Sequence, residues 1–218
     1  MLINLFYAIR PKTLIIAIAV ILLGQTLAWY DLMVSNKEPL NPYIVFFCLS
    51  CCIFLQIAVN LANDYFDHLS GVDGPNRVGP KRIVQNQTFS LATLKQLTLL
   101  FTLLAIACGS VLIWLGGWVF FLLRLFSLLG VYLYSGSQYS LASRSLGEVA
   151  VFLFFGWLGV MGSYYLQVKE FHWGLLVPAT EIGLLVAAVM LVNNIRDISS
   201  DHTAGKITLA FRLGPVNS

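Results

Sequence analysis

Residues 59–73, VNLANDYFDHLSGVD, close a long apolar run with Asn60, Asn63, Asp64 and Asp67 at relative positions 0, 3, 4 and 7. Side chains three and four apart share one face of a helix, so these four line one wall at the end of a buried or membrane-spanning helix. Carboxylates are costly in such a place unless they meet something positive. A second stretch, residues 192–201, VNNIRDISSD, repeats the arrangement with Asn193, Asp197 and Asp201 at 0, 4 and 8, again ending an apolar run. Asn193 and Asp197 are the counterparts of Asn60 and Asp64. Two acidic helix ends in one chain predict a shared cation site.

Composition identifies the solvent around those helices. Of 218 residues, 58% are hydrophobic and only 11% charged, with a mean hydropathy of +0.81. Soluble domains carry about 25% charged residues, and several apolar runs here approach the ~20 residues that cross a bilayer. The reading is an all-α, polytopic transmembrane helical bundle forming a single domain over residues 1–218, with no feature suited to nucleic acid. The first apolar run follows Arg10 and Lys12, as in a signal peptide. It outlasts the ~7–15 residues of a cleavable apolar region and is therefore a retained span.

Six spans are expected, at 12–30, 43–63, 94–115, 117–134, 147–168 and 173–195, with Gly116-Gly117 making a tight hairpin between the third and fourth. In that arrangement one side of the membrane holds Arg10, Lys12, Arg77, Lys81, Arg82, Lys95, Arg144, Arg196, Lys206 and Arg212, and the other only Lys37 and Lys169. Ten against two is a strong positive-inside bias. It predicts a plasma, inner or thylakoid-type membrane protein with a cytoplasmic N-terminus and both acidic motifs on the cytoplasmic face. Arg124 falls inside the fourth run, where it snorkels, pairs with Glu148 or Glu181, or serves function directly. Cys48, Cys51, Cys52 and Cys108 all lie in apolar runs and read as packing residues. His68 and His202, each just after an acidic residue, are candidate ligands or bases; His172, beside Trp173, reads as interfacial.

The connection after the second span, DHLSGVDGPNRVGPKRIVQNQTFS, is long for a loop in a compact domain and so a candidate functional segment. It sets Arg77, Lys81 and Arg82 beside Asp64, Asp67 and Asp73. Mixed signs there fit either solvated charges or an anion bridged to carboxylates by a metal. Asp and Asn oxygens without thiolates suit a hard cation, and Mg²⁺ is commonly held by one or two carboxylates while substrate phosphates complete its shell. Two such clusters suit a diphosphate, with basic residues taking the remaining charge. In a greasy bundle, the natural bearer of that diphosphate is a lipid-tailed substrate.

The motifs ANDYFD, NNIRDISSD, GPKRIVQ, RSLGEV and AGKITLAFRLG resemble the UbiA superfamily of intramembrane prenyltransferases, most closely its MenA branch of 1,4-dihydroxy-2-naphthoate polyprenyltransferases in menaquinone or phylloquinone synthesis. The resemblance covers nearly the whole chain. It implies Mg²⁺-dependent transfer of a polyprenyl or phytyl chain from its diphosphate to an aromatic acid, with loss of CO₂. It further implies that Asn63, Asp64, Asp67, Asp197 and Asp201 hold the metal. Asn60, Asn63, Lys81, Arg82, Arg144, Asn193 and Lys206 are the candidates for the diphosphate. Asp64, Asp67, Asp197 and Asp201 are the catalytic set. The broad family motif N-x-x-x-D-x-x-x-D is met by Asn63 and Asp67 but has Gly71 at its third position, with Asp73 as the next acid, a variant that resembles the naphthoate branch. The family fold has nine spans and this chain ends at Ser218 after about six, so a missing C-terminal third is expected. The competing readings are another acceptor (4-hydroxybenzoate, homogentisate or chlorophyllide), an inactive remnant, and an ion transporter, which would place its acids near the midplane on broken helices. A homo-oligomer is left open.

Overall fold

The long apolar runs, almost free of internal proline, wind into helices because in lipid each backbone N–H and C=O must find its partner within its own segment. The structure, a computed structural model, describes residues 6, 8–69, 89–135, 141, 144–203 and 205–214, with backbone alone at 124, 128 and 130–135. The helices are α1 (Pro11–Val34), α2 (Pro42–Leu69), α3 (Leu91–Gly116), α4 (Trp118–Ser135), α5 (Gly147–Val168) and α6 (Leu176–Arg196), followed by the short α7 (Ile198–Thr203) and α8 (Leu209–Leu213). No strand occurs among the described residues. Five helices are long and apolar enough to cross a membrane; α4, with 18 residues, is the sixth apolar helix.

Local chemistry sets the ends. Pro11 opens α1, where its missing N–H costs nothing. Ser90 caps α3 by accepting from the Thr93 backbone N–H at 3.1 Å. Gly117 turns the α3–α4 hairpin at φ 71, a conformation with almost no penalty in glycine alone.

Helix α1 sits centrally, packed on α2 along one flank and α5 along the other, while α2 and α3 pair over much of their length. Between membrane helices there is little hydrophobic drive, so close packing of small residues holds them together. At the α5–α6 contact a β-carbon on Gly156 would stand 2.6 Å from the Ala179 carbonyl oxygen and 3.0 Å from Gly183 Cα. The middle of α5, Phe152–Met161, is wound as a π-helix, a form usually confined to single turns and frequent at functional sites. The core runs the length of the bundle. Ala8, Ile57, Leu61 and Leu94 pack at one end, Val20, Val160, Ala179 and Val186 in the middle, and Ala28, Leu32, Tyr164 and Leu175 at the other. Leucines and tryptophans of the outer faces stay exposed, as expected where lipid is the solvent. The four cysteines are free thiols, and Cys48, Cys51 and Cys52 lie in or against one core cluster, as expected of packing residues.

Candidate active site

Helix α2 continues past its apolar run to Leu69, so Asn60, Asn63, Asp64 and Asp67 stand on one helix as their spacing predicts. Asn60 and Asp64 are each 2% exposed. Buried polar groups must be satisfied, and both are. Asn60 Nδ2 donates to the Ile9 carbonyl at 2.8 Å and to Thr13 Oγ1 at 2.9 Å, and its Oδ1 accepts from Gln56 Nε2 at 3.2 Å. These contacts fasten the start of α1 to α2. Asp64 then receives the guanidinium of Arg10, which enters α1 with φ 51 and ψ 76. A residue with a β-carbon seldom adopts that left-handed conformation, and it persists where surrounding contacts hold it.

The second motif lies at the same end. Helix α6 stops at Arg196, but the hydrogen-bonded spiral carries on: the Asp197 N–H meets the Asn193 carbonyl at 3.1 Å and the Asp201 N–H meets the Asp197 carbonyl at 2.9 Å. Asp197 and Asp201 are both buried. Arg196 grips both oxygens of Asp197, each at 2.9 Å, the bidentate geometry that guanidinium favours. After α7 the chain turns at Gly205, φ 76, and the Lys206 N–H returns to the Asp201 carbonyl at 2.8 Å.

Anchored in this way, Lys206 sends its ammonium across to Asp67, with Nζ–Oδ1 at 2.6 Å and only 19% and 13% of the two side chains exposed. This charge-assisted bond joins the two acidic motifs across 139 residues of sequence. Ser145 Oγ, bonded to the Ile207 carbonyl at 2.7 Å, brings the loop of Arg144 to the same segment. Buried Glu148 accepts from Asn194 Nδ2 at 2.8 Å, tying α5 to α6 beneath the second motif.

The candidates divide accordingly. Asn60, Asp64, Asp67, Asp197, Asp201 and Lys206 gather at one end of the bundle, with Asn63 half-buried among them on α2. Arg144 is exposed in its loop and Asn193 on α6, where it is the neighbouring Asn194 that makes the interhelix contact. Lys81, Arg82, Arg77 and Asp73 lie outside the described residues, as does the side chain of Arg124. His68 is exposed, and His202 stacks on Phe211 at 4.4 Å between ring centres. His172 is half-exposed with Nε2 3.7 Å from Glu170 Oε2. In the sequence Arg10 and Arg196 stand only as topological charges, whereas in the structure both contact the acids directly. The available signal was position: each lies on the charge-rich side, and Arg196 adjoins Asp197.

A family model described as the UbiA prenyltransferase family matches residues 22–218. The chain belongs to that family. It is therefore a membrane prenyltransferase. Among curated relatives it is 37% identical over 220 residues to a 1,4-dihydroxy-2-naphthoate octaprenyltransferase of Escherichia coli strain K12, covering 97% of this chain and 68% of the relative. A Mycobacterium tuberculosis protein of the same description is 38% identical, covering 94% and 68%. A mouse UbiA prenyltransferase domain-containing protein 1 is 28% identical, covering 97% and 61%. The chain thus spans about two thirds of the length of these relatives.

The donor set fits a divalent ion of the hard class. Among the described residues the two motifs offer carboxylate and amide oxygens from Asn63, Asp64, Asp67, Asp197 and Asp201, and Asp64, Asp67 and Asp197 each already attract a cationic side chain. Among the described residues no three His, Cys, Asp or Glu side chains converge tightly enough to hold an ion by themselves.

Proposed function

We propose that this chain transfers a polyprenyl or phytyl group from its diphosphate to 1,4-dihydroxy-2-naphthoate with loss of CO₂, a step of menaquinone or phylloquinone synthesis. The observation that carries the reading is the 2.6 Å Lys206–Asp67 contact, which makes one polar site of two acidic motifs at one end of an apolar bundle. A diphosphate at that end can leave its prenyl tail among the helices. The descriptions of the relatives support the naphthoate acceptor.

Asn63, Asp64, Asp67, Asp197 and Asp201 would hold Mg²⁺, which when bound neutralises the diphosphate and stabilises charge on the leaving group. The chain's own residues do the rest. Lys206 and Arg10, both already at the carboxylates, are placed to follow the diphosphate oxygens as negative charge grows on them. Asn60 keeps α1 fixed to α2, so the site is set before substrate arrives. Lys81, Arg82, Arg144 and Asn193 are further diphosphate contacts in this reading. Ionisation leaves an allylic carbocation, which the electron-rich ring of the acceptor attacks at its carboxyl-bearing carbon, followed by release of CO₂. With ten basic residues to two, the site faces the cytoplasm and the N-terminus lies on the same side.

The test follows label from a polyprenyl diphosphate into a panel of aromatic acids, using membranes that contain the 218-residue chain. Transfer to dihydroxynaphthoate that needs Mg²⁺ and stops with EDTA is expected, and it should vanish in Asp67→Ala and Asp197→Ala. Transfer to 4-hydroxybenzoate or homogentisate instead would move the acceptor. No transfer, beside an active longer relative, would overturn the proposal for this chain.

A further inference from the structure

The end of the bundle remote from the acidic motifs holds a cavity of about 550 Å³ between the close of α1, the loop after it, the α5–α6 connection and the start of α6. Its walls are of two kinds. Leu27, Leu32, Leu175 and Pro178 are apolar, whereas Asp31, Lys37, Glu170 and His172 gather charge at the mouth. No residue here takes part in the site described above.

Asp31 is held in position. The hydroxyl of Tyr164, a residue fully buried in the core, donates to Asp31 Oδ2. No side chain among the described residues donates to Oδ1. Lys37 Nζ lies 3.3 Å from Glu170 Oε1, with both side chains about half exposed. An ion pair that exposed is worth only about 0–1 kcal/mol, so a ligand can exchange with it cheaply. The two loops carrying this pair are fixed relative to each other by Gln167, which accepts from the Asn41 N–H at 3.0 Å and donates to the Asn41 carbonyl at 3.2 Å.

The level of the cavity in the membrane is marked by aromatics. Four of the five tryptophans, Trp29, Trp114, Trp118 and Trp173, lie exposed at this end. Exposed tryptophans concentrate where acyl chains give way to headgroups. A cavity at that depth, lined by both apolar and charged side chains, matches the headgroup region of a phospholipid in polarity.

Charge selects among headgroups. Two carboxylates, Asp31 and Glu170, face one lysine, with His172 beside Glu170, so a purely anionic headgroup meets more repulsion than attraction. A zwitterion suits both signs. A primary ammonium has N–H groups to give Asp31 Oδ1, and a trimethylated ammonium has none. We propose that this cavity binds the headgroup of a zwitterionic aminophospholipid, with its ammonium at Asp31 and Glu170 and its phosphate at Lys37. The site stands independently of the prenyl-transfer reading, and would make the enzyme's stability follow the aminophospholipid content of its membrane.

The experiment is native mass spectrometry of the detergent-solubilised chain given equal amounts of phosphatidylethanolamine, phosphatidylcholine and phosphatidylglycerol with identical acyl chains. Phosphatidylethanolamine should be retained about tenfold over the other two, the ratio one charge-assisted hydrogen bond supports. Asp31→Asn should abolish its advantage over phosphatidylcholine. Lys37→Gln, an exposed change that leaves the fold intact, should lower its retention several-fold, while the exposed Lys12→Gln at the other end changes nothing. Added phosphatidylethanolamine should also raise the melting temperature of the parent chain but not of the Lys37→Gln variant. Equal retention of the three lipids, preference for phosphatidylglycerol, or a preference that survives both cavity substitutions would each overturn the proposal.

Discussion

Replacing Arg10 with methionine takes the guanidinium away from the Asp64 carboxylate in a place where only 3% of that side chain reaches solvent. Removing one partner of a buried ion pair costs about 3–5 kcal/mol, because the remaining charge keeps its desolvation penalty. Arg10 itself is 31% exposed, so water can reach the edge of the vacated site and the cost falls to about 3 kcal/mol. For a chain of this size that shifts the melting midpoint by about 6–12 °C. The double variant Arg10→Met/Asp64→Leu removes both charges and should regain most of the loss, since apolar replacement of a whole buried pair is often near neutral. The assay is thermal unfolding of the purified chain in detergent, followed by exposure of the buried Cys48 thiol to a maleimide dye. Turnover separates the two roles of Asp64, because the double variant should be stable yet inactive. A single variant melting within a degree or two of the parent, or a double variant no better than the single, would refute the buried-pair reasoning.

Lys206→Met should lower kcat/KM for the prenyl diphosphate about 100-fold, the scale for one group that stabilises developing charge, and isotope transfer at varied diphosphate concentration measures it. Gly156→Ala drives a methyl against the Ala179 carbonyl at 2.6 Å; overpacking of this kind costs about 1–3 kcal/mol, so a lower melting midpoint with Mg²⁺ dependence unchanged is expected. For orientation, Lys12→Cys and Lys37→Cys both place a thiol at an exposed position, at opposite ends of the bundle. An impermeant maleimide should reach the first only from the cytoplasmic side and the second only from the other; the reverse pattern would invert the topology.

Five of the six expected spans were legible because hydropathy and turn residues act locally. The Gly116-Gly117 hairpin falls where sequence puts it, since a backbone with positive φ advertises itself. The apolar span expected to end at 63 belongs to a helix that runs on to Leu69. Apolarity stops at Asn60, but a helical backbone has no reason to stop with it, and the polar turns beyond are what carry the site. Spacing pairs Asn193 with Asn60, and in the structure it is the neighbouring Asn194 that reaches Glu148. Nothing in spacing tells which of two adjacent asparagines faces a neighbour before the helices have packed. The π-winding of Phe152–Met161 was equally hidden. Extra residues per turn rotate everything downstream, and that phase depends on α1 and α6 pressing from both sides. Pairing of Arg10 with Asp64 and of Lys206 with Asp67 joins residues 54 and 139 apart, beyond the reach of any local rule.

Those pairs also account for the shape of the acidic site. Among the described residues, Asp64, Asp67, Asp197 and Asp201 bring four negative charges, and Arg10, Lys206 and Arg196 bring three positive ones. Asp64, Asp67 and Asp197 are each drawn to a cation of the chain, so an arriving ion competes with a charge already in place. A prenyl diphosphate with about three negative charges and a pair of divalent ions with about four positive ones would arrive together at a net of about one positive. Either component alone would strain the site, the diphosphate by repulsion from the acids and the ions by displacing the lysine and arginines with nothing to receive them. Binding of ion and diphosphate is therefore expected to be strongly cooperative. Calorimetric titration of a non-ionising diphosphate analogue should show affinity rising at least tenfold when Mg²⁺ is present, and falling back when Asp197 is changed to asparagine. Affinity unaffected by Mg²⁺ would mean that the cations of the chain suffice, and that the acids serve only to hold them in place.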